Sequence, residues 1–491
     1  MSSTTDTMNV DSESPQTGLG SSNGASSADA LMTSLAIAQQ EYSLSNPQSL
    51  KAHDEACSDF PGGNTRTVLH ASPFPITFRT GKGAELISID GKVYVDFLGE
   101  YTAGIYGHSN EKIASAVAEA MSKGWNYGGP NLYERELARK VTQRFSPSGI
   151  ELVRFTNSGT ESNTMALAAA TAFTKRKKIL VFKNGYHGGT LSFPDPLSPI
   201  NTNLPHDFVF APYNDIEGTK SALSFLPQNT LAAIIVEGMQ GSGGCIVGDP
   251  KFLQFLNTTA HQLGALFIMD EVMTSRLAYN GLSVSLGLKP DLITLGKWVG
   301  GGMTFGAFGG RKEIMSMFDP RKGILGHSGT FNNNVITMAA GCCGMDIYNE
   351  HEVKRLNALG DDLRRSIEKL LVEYGIRTFK KVSKVSSSAT QENELECPFS
   401  GVVPNGKRVP STQLQKNSMG VTGQGSMLNI HFYGPSENTL KALFWHHMLD
   451  YGIYMAQRGF IALNLELTAE HVSRFEESTR EFIIRYEDAL R

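Results

Sequence analysis

The sequence predicts an α/β protein built on a parallel sheet, and two observations lead to that class. Between about residues 130 and 310, short apolar runs alternate with segments of helical periodicity, which is typical of strands joined by crossover helices. The runs are nearly continuous in apolar residues, as expected for strands covered on both faces. They span residues 153–156, 178–182, 231–236, 265–269 and 292–295.

Local signals predict the elements on either side of this region. Asp90-Gly91 between apolar runs indicates a hairpin turn, and residues 112–123 place apolar side chains on one face of a helix. After Thr330 we expect an amphipathic helix, a strand and two further helices, near residues 356–371, 426–432, 437–451 and 469–490.

Composition along the chain predicts its domain organisation. Residues 1–34 are rich in Ser, Thr, Gly and Asn and contain no aromatic residue, so we expect this segment to be disordered. Residues 383–416 are polar and Ser-rich and are interpreted as a surface insertion. The remaining divisions are an N-terminal segment contributing to a small domain, a large domain that binds the ligand, and a C-terminal small domain that carries the insertion, at 35–100, 101–345 and 346–491.

Charge and cysteine usage exclude several classes of function. A net charge of −4 gives no electrostatic case for nucleic acid or an anionic membrane, and no apolar run approaches the roughly 20 residues of a membrane span. The five cysteines are scattered without metal-ligand spacing, as in reduced cytosolic proteins. No Lys or Arg precedes Lys51, which argues against a leader peptide. We expect a cytoplasmic protein that uses no metal and acts on small molecules.

Lys297 follows the last apolar run and precedes glycines at positions 300–302. A buried ammonium is costly unless it is paired, neutral or covalently bound, and glycines allow backbone or ligand to approach closely. A lysine presented in this way is a candidate for Schiff-base chemistry. The first solvated residue of an ordinary loop would have the same local pattern.

Residues after the other runs favour the chemical interpretation of Lys297. Ser158 and Glu161 have capping-box spacing at a helix start, where free N–H groups also suit a phosphate. Tyr186 suits either stacking on a planar ring or core packing. Asp270 either caps a helix or keeps a heteroaromatic nitrogen protonated. Together these are the parts that pyridoxal 5'-phosphate (PLP) requires, and no dinucleotide or P-loop motif supports another cofactor.

Five motifs together resemble those of class III, fold type I PLP-dependent aminotransferases. They are Asn157-Ser158-Gly159-Thr160-Glu161, Tyr186-His187-Gly188, Asp270-Glu271-Val272-Met273-Thr274, Leu295-Gly296-Lys297 and Gly329-Thr330-Phe331. The resemblance implies a large domain with a mostly parallel seven-stranded sheet and a smaller α+β domain. Glutamate-1-semialdehyde 2,1-aminomutases share most of these motifs. Residues 61–66, 100–104, 273–276 and 328–334 look closer to β-phenylalanine aminotransferases.

The resemblance implies roles around the cofactor ring. Lys297 would form the Schiff base, and Asp270 would pair with the pyridinium nitrogen. Tyr186 would stack on one ring face while Val272 packs against the other. Gln240 would approach the phenolic oxygen, from a loop that is loosened because Gly238 stands where the family usually has proline.

The resemblance also implies a phosphate site shared between subunits. Thr330 would reach the phosphate bound by the neighbouring subunit, so the expected catalytic unit is a homodimer. Within one subunit the phosphate would be held by Ser158, Gly159 and Thr160.

The implied activity is amino transfer from an amino acid donor to a keto acid acceptor. The match near residues 61–66 points to a β-amino acid, aromatic ones included, as the donor. A substrate carboxylate calls for a guanidinium, for which Arg66 is the first candidate and Arg458 the second; a surface salt bridge is the structural alternative for each. Two other functions stay open, namely an aminomutase that exchanges nitrogen within one substrate and a non-catalytic PLP-fold binding subunit.

Overall fold

Residues 27–376 and 416–490 are described by the structure, which is a computed structural model. The helices in these ranges are α1 Ser27–Ser45, α2 Pro47–Ala56, α3 Glu111–Ser122, α4 Leu132–Phe145, α5 Gly159–Thr174, α6 Ile216–Ser224, α7 Pro250–Gln262, α8 Leu282–Ser285, α9 Lys312–Met315, α10 Val335–Ile347, α11 Glu350–Glu373, α12 Glu437–Asp450, α13 Ala469–Arg485 and α14 Glu487–Leu490. Among the described residues, none of these helices combines the length and the apolar composition needed to cross a membrane.

The strands form one large sheet and several small ones. They are β1 Phe78–Lys82, β2 Glu85–Ser88, β3 Val93–Asp96, β4 Leu152–Thr156, β5 Lys178–Phe182, β6 Gly185–Tyr186, β7 Ser192–Phe193, β8 Asp207–Ala211, β9 Leu231–Glu237, β10 Met239–Gln240, β11 Ile246–Val247, β12 Leu266–Asp270, β13 Leu292–Gly296, β14 Gly306–Gly310, β15 Ser418–Gln424, β16 Met427–Tyr433, β17 Ile453–Tyr454 and β18 Phe460–Ala462.

The central sheet has seven strands in the order β4-β14-β13-β12-β9-β5-β8. Strand β14 pairs antiparallel with both of its neighbours, while the other pairs are parallel. The predicted α/β class with a mostly parallel seven-stranded sheet is therefore confirmed. Strand β14 was not predicted from the sequence, because three of its five residues are glycines and give no continuous apolar run. A Cβ at Gly306 would lie 2.2 Å from the carbonyl oxygen of Ser158, so helix α5 can approach this strand only where side chains are absent.

Two smaller sheets contain the C-terminal strands, and one of them joins segments that are far apart in sequence. The N-terminal strands form the order β1-β2-β3-β17, in which β17 pairs parallel with β3. The second sheet has the order β15-β16-β18. The pairing of β17 with β3 supports the expectation that residues 35–100 contribute to a small domain with the C-terminal region, while the exact domain boundaries stay a prediction.

The N-terminal expectation needs one correction, because α1 begins at Ser27, inside the segment 1–34 that we expected to be disordered. Leu31 is only 4% exposed, and the Tyr42 hydroxyl of the same helix donates to the Phe74 carbonyl at 2.8 Å. Apolar residues at helical spacing bury one face of α1 against α12, which supplies the burial that composition alone did not reveal. Residues 1–26 and all but the last residue of the predicted insertion 383–416 lie outside the described residues.

Candidate active site

The carboxyl ends of the parallel strands bring the predicted residues together at one edge of the sheet. Strands β9, β12 and β13 are neighbours and run in the same direction, so Glu237, Asp270 and Lys297 occupy adjacent positions at their ends. Open α/β sheets bind ligands at this edge. The structure therefore brings Asp270 and Lys297 together at this edge, while their roles stay a prediction.

Lys297 occupies an unusual backbone position directly after β13. Its φ of 55° lies in the left-handed region, which is uncommon for a residue with a side chain. Its Nζ atom donates to the carbonyl oxygen of Tyr101 at 2.8 Å. Burial, reinforced by the charge of Arg66, lowers the pKa of the Lys297 amine to about 8. An amine with this pKa is largely neutral, and therefore nucleophilic, at mildly alkaline pH.

The carbonyl that receives Lys297 belongs to a strained turn. Glu100, Tyr101 and Thr102 have φ values of 45°, 51° and 83°, a conformation that costs roughly 1–2 kcal/mol per residue with a Cβ. The buried Asp96 carboxylate accepts the N–H groups of Leu98 and of the following glycine at 2.8 and 3.0 Å and thereby anchors the start of the turn. Strain held by surrounding contacts is characteristic of functional sites.

Asp270 is buried and its oxygens are engaged by several donors. Its Oδ2 atom accepts from Asn163 Nδ2 at 2.8 Å and lies 2.7 Å from His187 Nδ1. Its Oδ1 atom accepts the N–H of Val272 at 2.9 Å. The hydroxyl of Thr294 is 3.4 Å from Oδ1 but gives its only proton to Asn163 at 2.7 Å. One acceptor position on Oδ1 therefore remains available for a ring N–H group.

His187 and Asn163 are site residues to which the sequence analysis gave no role. Burial opposes the charged form of His187, but the hydrogen bond with Asp270 and the negative charge of that residue raise the His187 pKa overall. Asn163 also donates to the His187 carbonyl at 2.9 Å. Two features of the sequence could have indicated these residues. His187 directly follows Tyr186, and Asn163 is a polar residue on the apolar face of α5.

The start of helix α5 forms a cup beside Asp270. Ser158 is its N-cap and accepts from the Glu161 N–H at 3.2 Å, which confirms the predicted helix start. The free N–H groups of the first turn face outward, as at helix termini that bind phosphate. A Cβ at Gly159 would lie 2.8 Å from Cγ1 of Val272, so only glycine lets Val272 pack there. Thr160 Oγ1 accepts the Gly189 N–H at 3.2 Å.

Tyr186 and Gln240 lie on two short strands beside this edge, β6 and β10. The Tyr186 residue is 42% exposed, so one face of its ring is accessible to a ligand. Gln240 is buried and donates one of its amide protons to the carbonyl of Lys183 at 2.8 Å. Thr330 lies in an exposed loop, whose Asn332 accepts from Asn157 Nδ2 at 2.9 Å, next to the cup.

Both predicted substrate arginines approach the ring of Tyr101. The guanidinium carbon of Arg66 is 5.6 Å from the ring centroid and that of Arg458 is 5.4 Å from it. Arg66 forms a salt bridge with Glu100, a partly exposed pair. Arg458 Nη1 donates to the carbonyl and hydroxyl of Ser242, both at 3.1 Å. The structure therefore brings the two arginines to one side of Lys297, whose pKa both of them lower.

Comparisons with known proteins agree with this geometry. The family described as Aminotransferase class-III matches residues 68–389. The β-phenylalanine transaminase of Variovorax paradoxus is 42% identical over 465 residues, which cover 92% of this chain and 96% of that protein. A solved β-phenylalanine aminotransferase from the same organism has a TM-score of 0.83 and 41% identity over 94% of this chain and 99% of that one. The chain belongs to the class-III aminotransferases.

This class-III aminotransferase is a PLP-dependent transaminase, as the motifs implied. A glutamate-1-semialdehyde 2,1-aminomutase of Methanosarcina acetivorans is a more distant relative, 32% identical over 75% of this chain and 93% of that protein. A transaminase solved with PLP bound has a TM-score of 0.75 at 26% identity over 90% of this chain and 99% of that one. Family membership favours an enzyme over the non-catalytic binding subunit.

The residues at the sheet edge fit PLP on three independent grounds. The available acceptor position of Asp270 suits a protonated ring nitrogen. The first turn of α5 offers free N–H groups to a phosphate. Lys297 has the lowered pKa that Schiff-base formation needs.

Proposed function

We propose that the enzyme transfers the amino group of a β-amino acid, aromatic ones included, to a keto acid. The single observation that carries this proposal is the 42% identity with a β-phenylalanine transaminase over 92% of the chain. The buried rings of Tyr101 and Phe460, stacked at a centroid distance of 5.7 Å, support it by placing aromatic side chains beside the carbonyl that receives the Lys297 amine.

The proposed roles of the residues follow from their contacts. Asp270, held by His187, keeps the proton on the ring nitrogen. Tyr186 and Val272 pack on opposite ring faces, and Gln240 donates to the phenolic oxygen. The phosphate is held at the start of α5 by Ser158, Gly159 and Thr160.

In the proposed reaction, Lys297 transfers the proton that the substrate carbon loses. PLP, when bound, would supply an acceptor for the electron pair of the substrate carbon that loses its proton. The free Nζ of Lys297 takes that proton as a general base. As an acid, it then donates the proton to the C4′ carbon of the cofactor. The carbonyl of Tyr101 orients the amine for this work through the 2.8 Å hydrogen bond.

Arg66 is proposed to bind the substrate carboxylate. Glu100 contacts only its Nη1 atom, so within the described part of the chain its other guanidinium donors have no acceptor assigned. Arg458 is proposed to assist from the opposite loop, although its contacts with Ser242 must then loosen. A bidentate guanidinium–carboxylate pair gives both affinity and orientation.

The decisive experiment compares amino donors with the purified enzyme. We expect 3-amino-3-phenylpropanoate to convert bound PLP to pyridoxamine phosphate, and 2-oxoglutarate or pyruvate to reverse the change. Turnover of α-amino acids alone would refute the β-amino acid proposal. Arg66→Gln should raise the KM of the donor by about 10-fold or more, because a charge-assisted hydrogen bond contributes roughly 1.5–3 kcal/mol.

An aminomutase is the second candidate, favoured by the 32% identical relative from Methanosarcina acetivorans. An aminomutase exchanges nitrogen within one substrate and needs no external keto acid. Multiple turnovers of a single substrate without added acceptor would favour it over the transaminase.

A homodimer is proposed as the catalytic unit. Apolar side chains are exposed on two loops joined by the hydrogen bond from Asn131 Nδ2 to the Asn333 carbonyl at 2.8 Å, and an exposed apolar patch typically marks an interface. The exposed residues are Trp125, Tyr127, Leu132 and Phe331. Thr330 lies beside Phe331 and is proposed to reach the neighbouring site.

Subunit mixing tests the role of Thr330. A mixed dimer of Lys297→Ala and Thr330→Ala subunits contains one site with both residues intact only if Thr330 acts across the interface. Recovery of activity on mixing supports this arrangement, and no recovery in a mixed dimer contradicts it. The cytoplasmic location stays a prediction that cell fractionation would test.

A further inference from the structure

Glu237 is a buried carboxylate at the site that no step above uses. It ends β9 in register with Asp270 at the end of β12, and it is only 5% exposed. Its Oε1 atom accepts the backbone N–H of Tyr186 at 2.9 Å, and its Oε2 atom accepts the N–H of Gly241 at 3.0 Å. One side chain therefore joins two loops that enter the site from different strands.

The segment after Glu237 is also held by this contact. It runs from Gly238 to Gly241 and contains the short strand β10, Met239–Gln240, which pairs antiparallel with β11. A Cβ at Gly238 would lie 2.6 Å from Cε of Met269, so a side chain there would require the end of the Met269 side chain to move. The hydrogen bond from the Gly241 N–H to the Glu237 carboxylate links the two ends of this segment. Gln240 is the residue directly before Gly241.

The second hydrogen bond of the Glu237 carboxylate holds the backbone of Tyr186. The N–H of this residue is held by Glu237, while its ring remains 42% exposed. The ring orientation thus depends on its backbone rather than on close packing around the side chain. The next residue, His187, is held independently by Asp270.

We propose that Glu237 is a positioning residue that sets the stacking aromatic Tyr186 and the amide of Gln240 together, so that both meet the PLP ring in the correct place. This inference rests on the roles proposed above for those two residues. An ionised carboxylate can accept both N–H groups at once, and such charge-assisted bonds are stronger than neutral ones. The amide of a glutamine could accept only one of them.

The charge state of Glu237 sets the conditions of the test. The charged groups that face Glu237 are His187 and Asp270. The Tyr213 hydroxyl donates to the backbone carbonyl of Glu237 at 2.8 Å. Burial raises the pKa of the Glu237 carboxyl to about 7, an effect that His187 opposes. At pH 8.5 the carboxyl is ionised, so measurements at that pH examine the carboxylate with both hydrogen bonds in place.

Glu271 offers a matched control. It is likewise a fully buried carboxylate that accepts two backbone N–H groups, from Leu282 at 2.7 Å and Ser283 at 2.9 Å. Those groups begin helix α8, and neither bond involves Tyr186 or Gln240. Glu271→Gln therefore removes the same kind of bond with no direct effect on either residue.

The experiment titrates PLP into cofactor-free wild-type, Glu237→Gln, Glu237→Asp and Glu271→Gln proteins at pH 8.5. The dissociation constant is read from cofactor absorbance, and thermal unfolding of the cofactor-free proteins reports the structural cost. We expect Glu237→Gln to weaken PLP binding about 10-fold or more and Glu271→Gln to leave it within 2-fold. If Glu237→Gln does not fold, Glu237→Asp, which keeps the charge but is too short for both bonds, takes its place.

The ratio of the two effects decides the proposal. A loss of PLP affinity at position 237 that exceeds the loss in Glu271→Gln by 5-fold or more supports it, and any smaller ratio overturns it. The outcome is independent of the substrate assignment, because wild-type PLP binding is measured without any amino donor. A failure of β-amino acid turnover would leave this result unchanged.

Discussion

The Oδ2 atom of Asp270 and the Nδ1 atom of His187 lie 2.7 Å apart, with both side chains buried. The imidazole comes from the turn after β6, and the carboxylate ends β12. Their hydrogen bond and opposite charges raise the pKa of His187 against the effect of burial. The hydrogen bond fixes the position of the Asp270 carboxyl group at the end of β12, where a ring nitrogen is proposed to bind.

Replacement of His187 by glutamine should therefore lower kcat more than it raises KM. Glutamine can still donate to Asp270 but carries no charge, and the loss of a charge-assisted bond costs roughly 1.5–3 kcal/mol, or about 10- to 150-fold in rate. Steady-state kinetics with a fixed acceptor measure the effect. His447→Gln is the control, since His447 is also buried but bonds the Ser478 carbonyl far from the site. A wild-type kcat in His187→Gln would contradict this role.

Lys297→Ala should abolish transamination without unfolding the protein. Loss of a general base alone costs about 10²- to 10⁴-fold, and loss of the covalent attachment adds to it. The burial that lowers the pKa of Lys297 also penalises its ammonium form. The cofactor-free variant should therefore unfold at the same temperature as the wild type or above it, as measured by calorimetry. Retention of multiple turnovers would refute the assignment.

Cofactor incorporation should accelerate as the pH rises through about 8. The pKa of Lys297 falls from an ordinary 10.5 to about 8 because of burial and the charge of Arg66, and only the neutral amine attacks an aldehyde. Between these values the unfolded chain binds more protons than the folded one, so the stability of the cofactor-free protein should rise with pH there. Stopped-flow absorbance measures the rate. In Arg66→Gln the midpoint should move to higher pH, and an unchanged midpoint would exclude the influence of Arg66.

Gly159→Ala should weaken PLP binding by displacing Val272. The new methyl would lie 2.8 Å from a Val272 methyl, and overpacking of this kind typically costs 1–3 kcal/mol, equivalent to about 5- to 150-fold in affinity. Gly189→Ala is the matched control, because no atom lies within 4 Å of a Cβ at that position. Equal PLP dissociation constants in the two variants would show that the contact with Val272 does not shape the cofactor site.

The strands at 178–182 and the neighbouring parallel runs could be predicted closely, since a strand covered on both faces needs a nearly continuous apolar segment. Strand β14 was not predicted, because Gly306, Gly309 and Gly310 give it no continuous apolar run. These glycines are needed because α5 and the adjacent strands approach them closely. Only the start of α1, at Ser27, was not predicted, since this helix packs against α12, about 400 residues later, and its Tyr42 packs against Phe74.

The sequence by itself determined that Lys297, Asp270 and Ser158 lie at the ends of predicted strands of one mostly parallel sheet, because a shared strand direction places such residues at a common edge. The tertiary structure alone decided that Tyr101 receives the lysine amine across 196 residues of sequence separation and that both arginines lie against its ring. It also decided that His187 pairs with Asp270. Periodicity reports which face of an element is buried, whereas contacts between distant side chains depend on how the elements pack against one another.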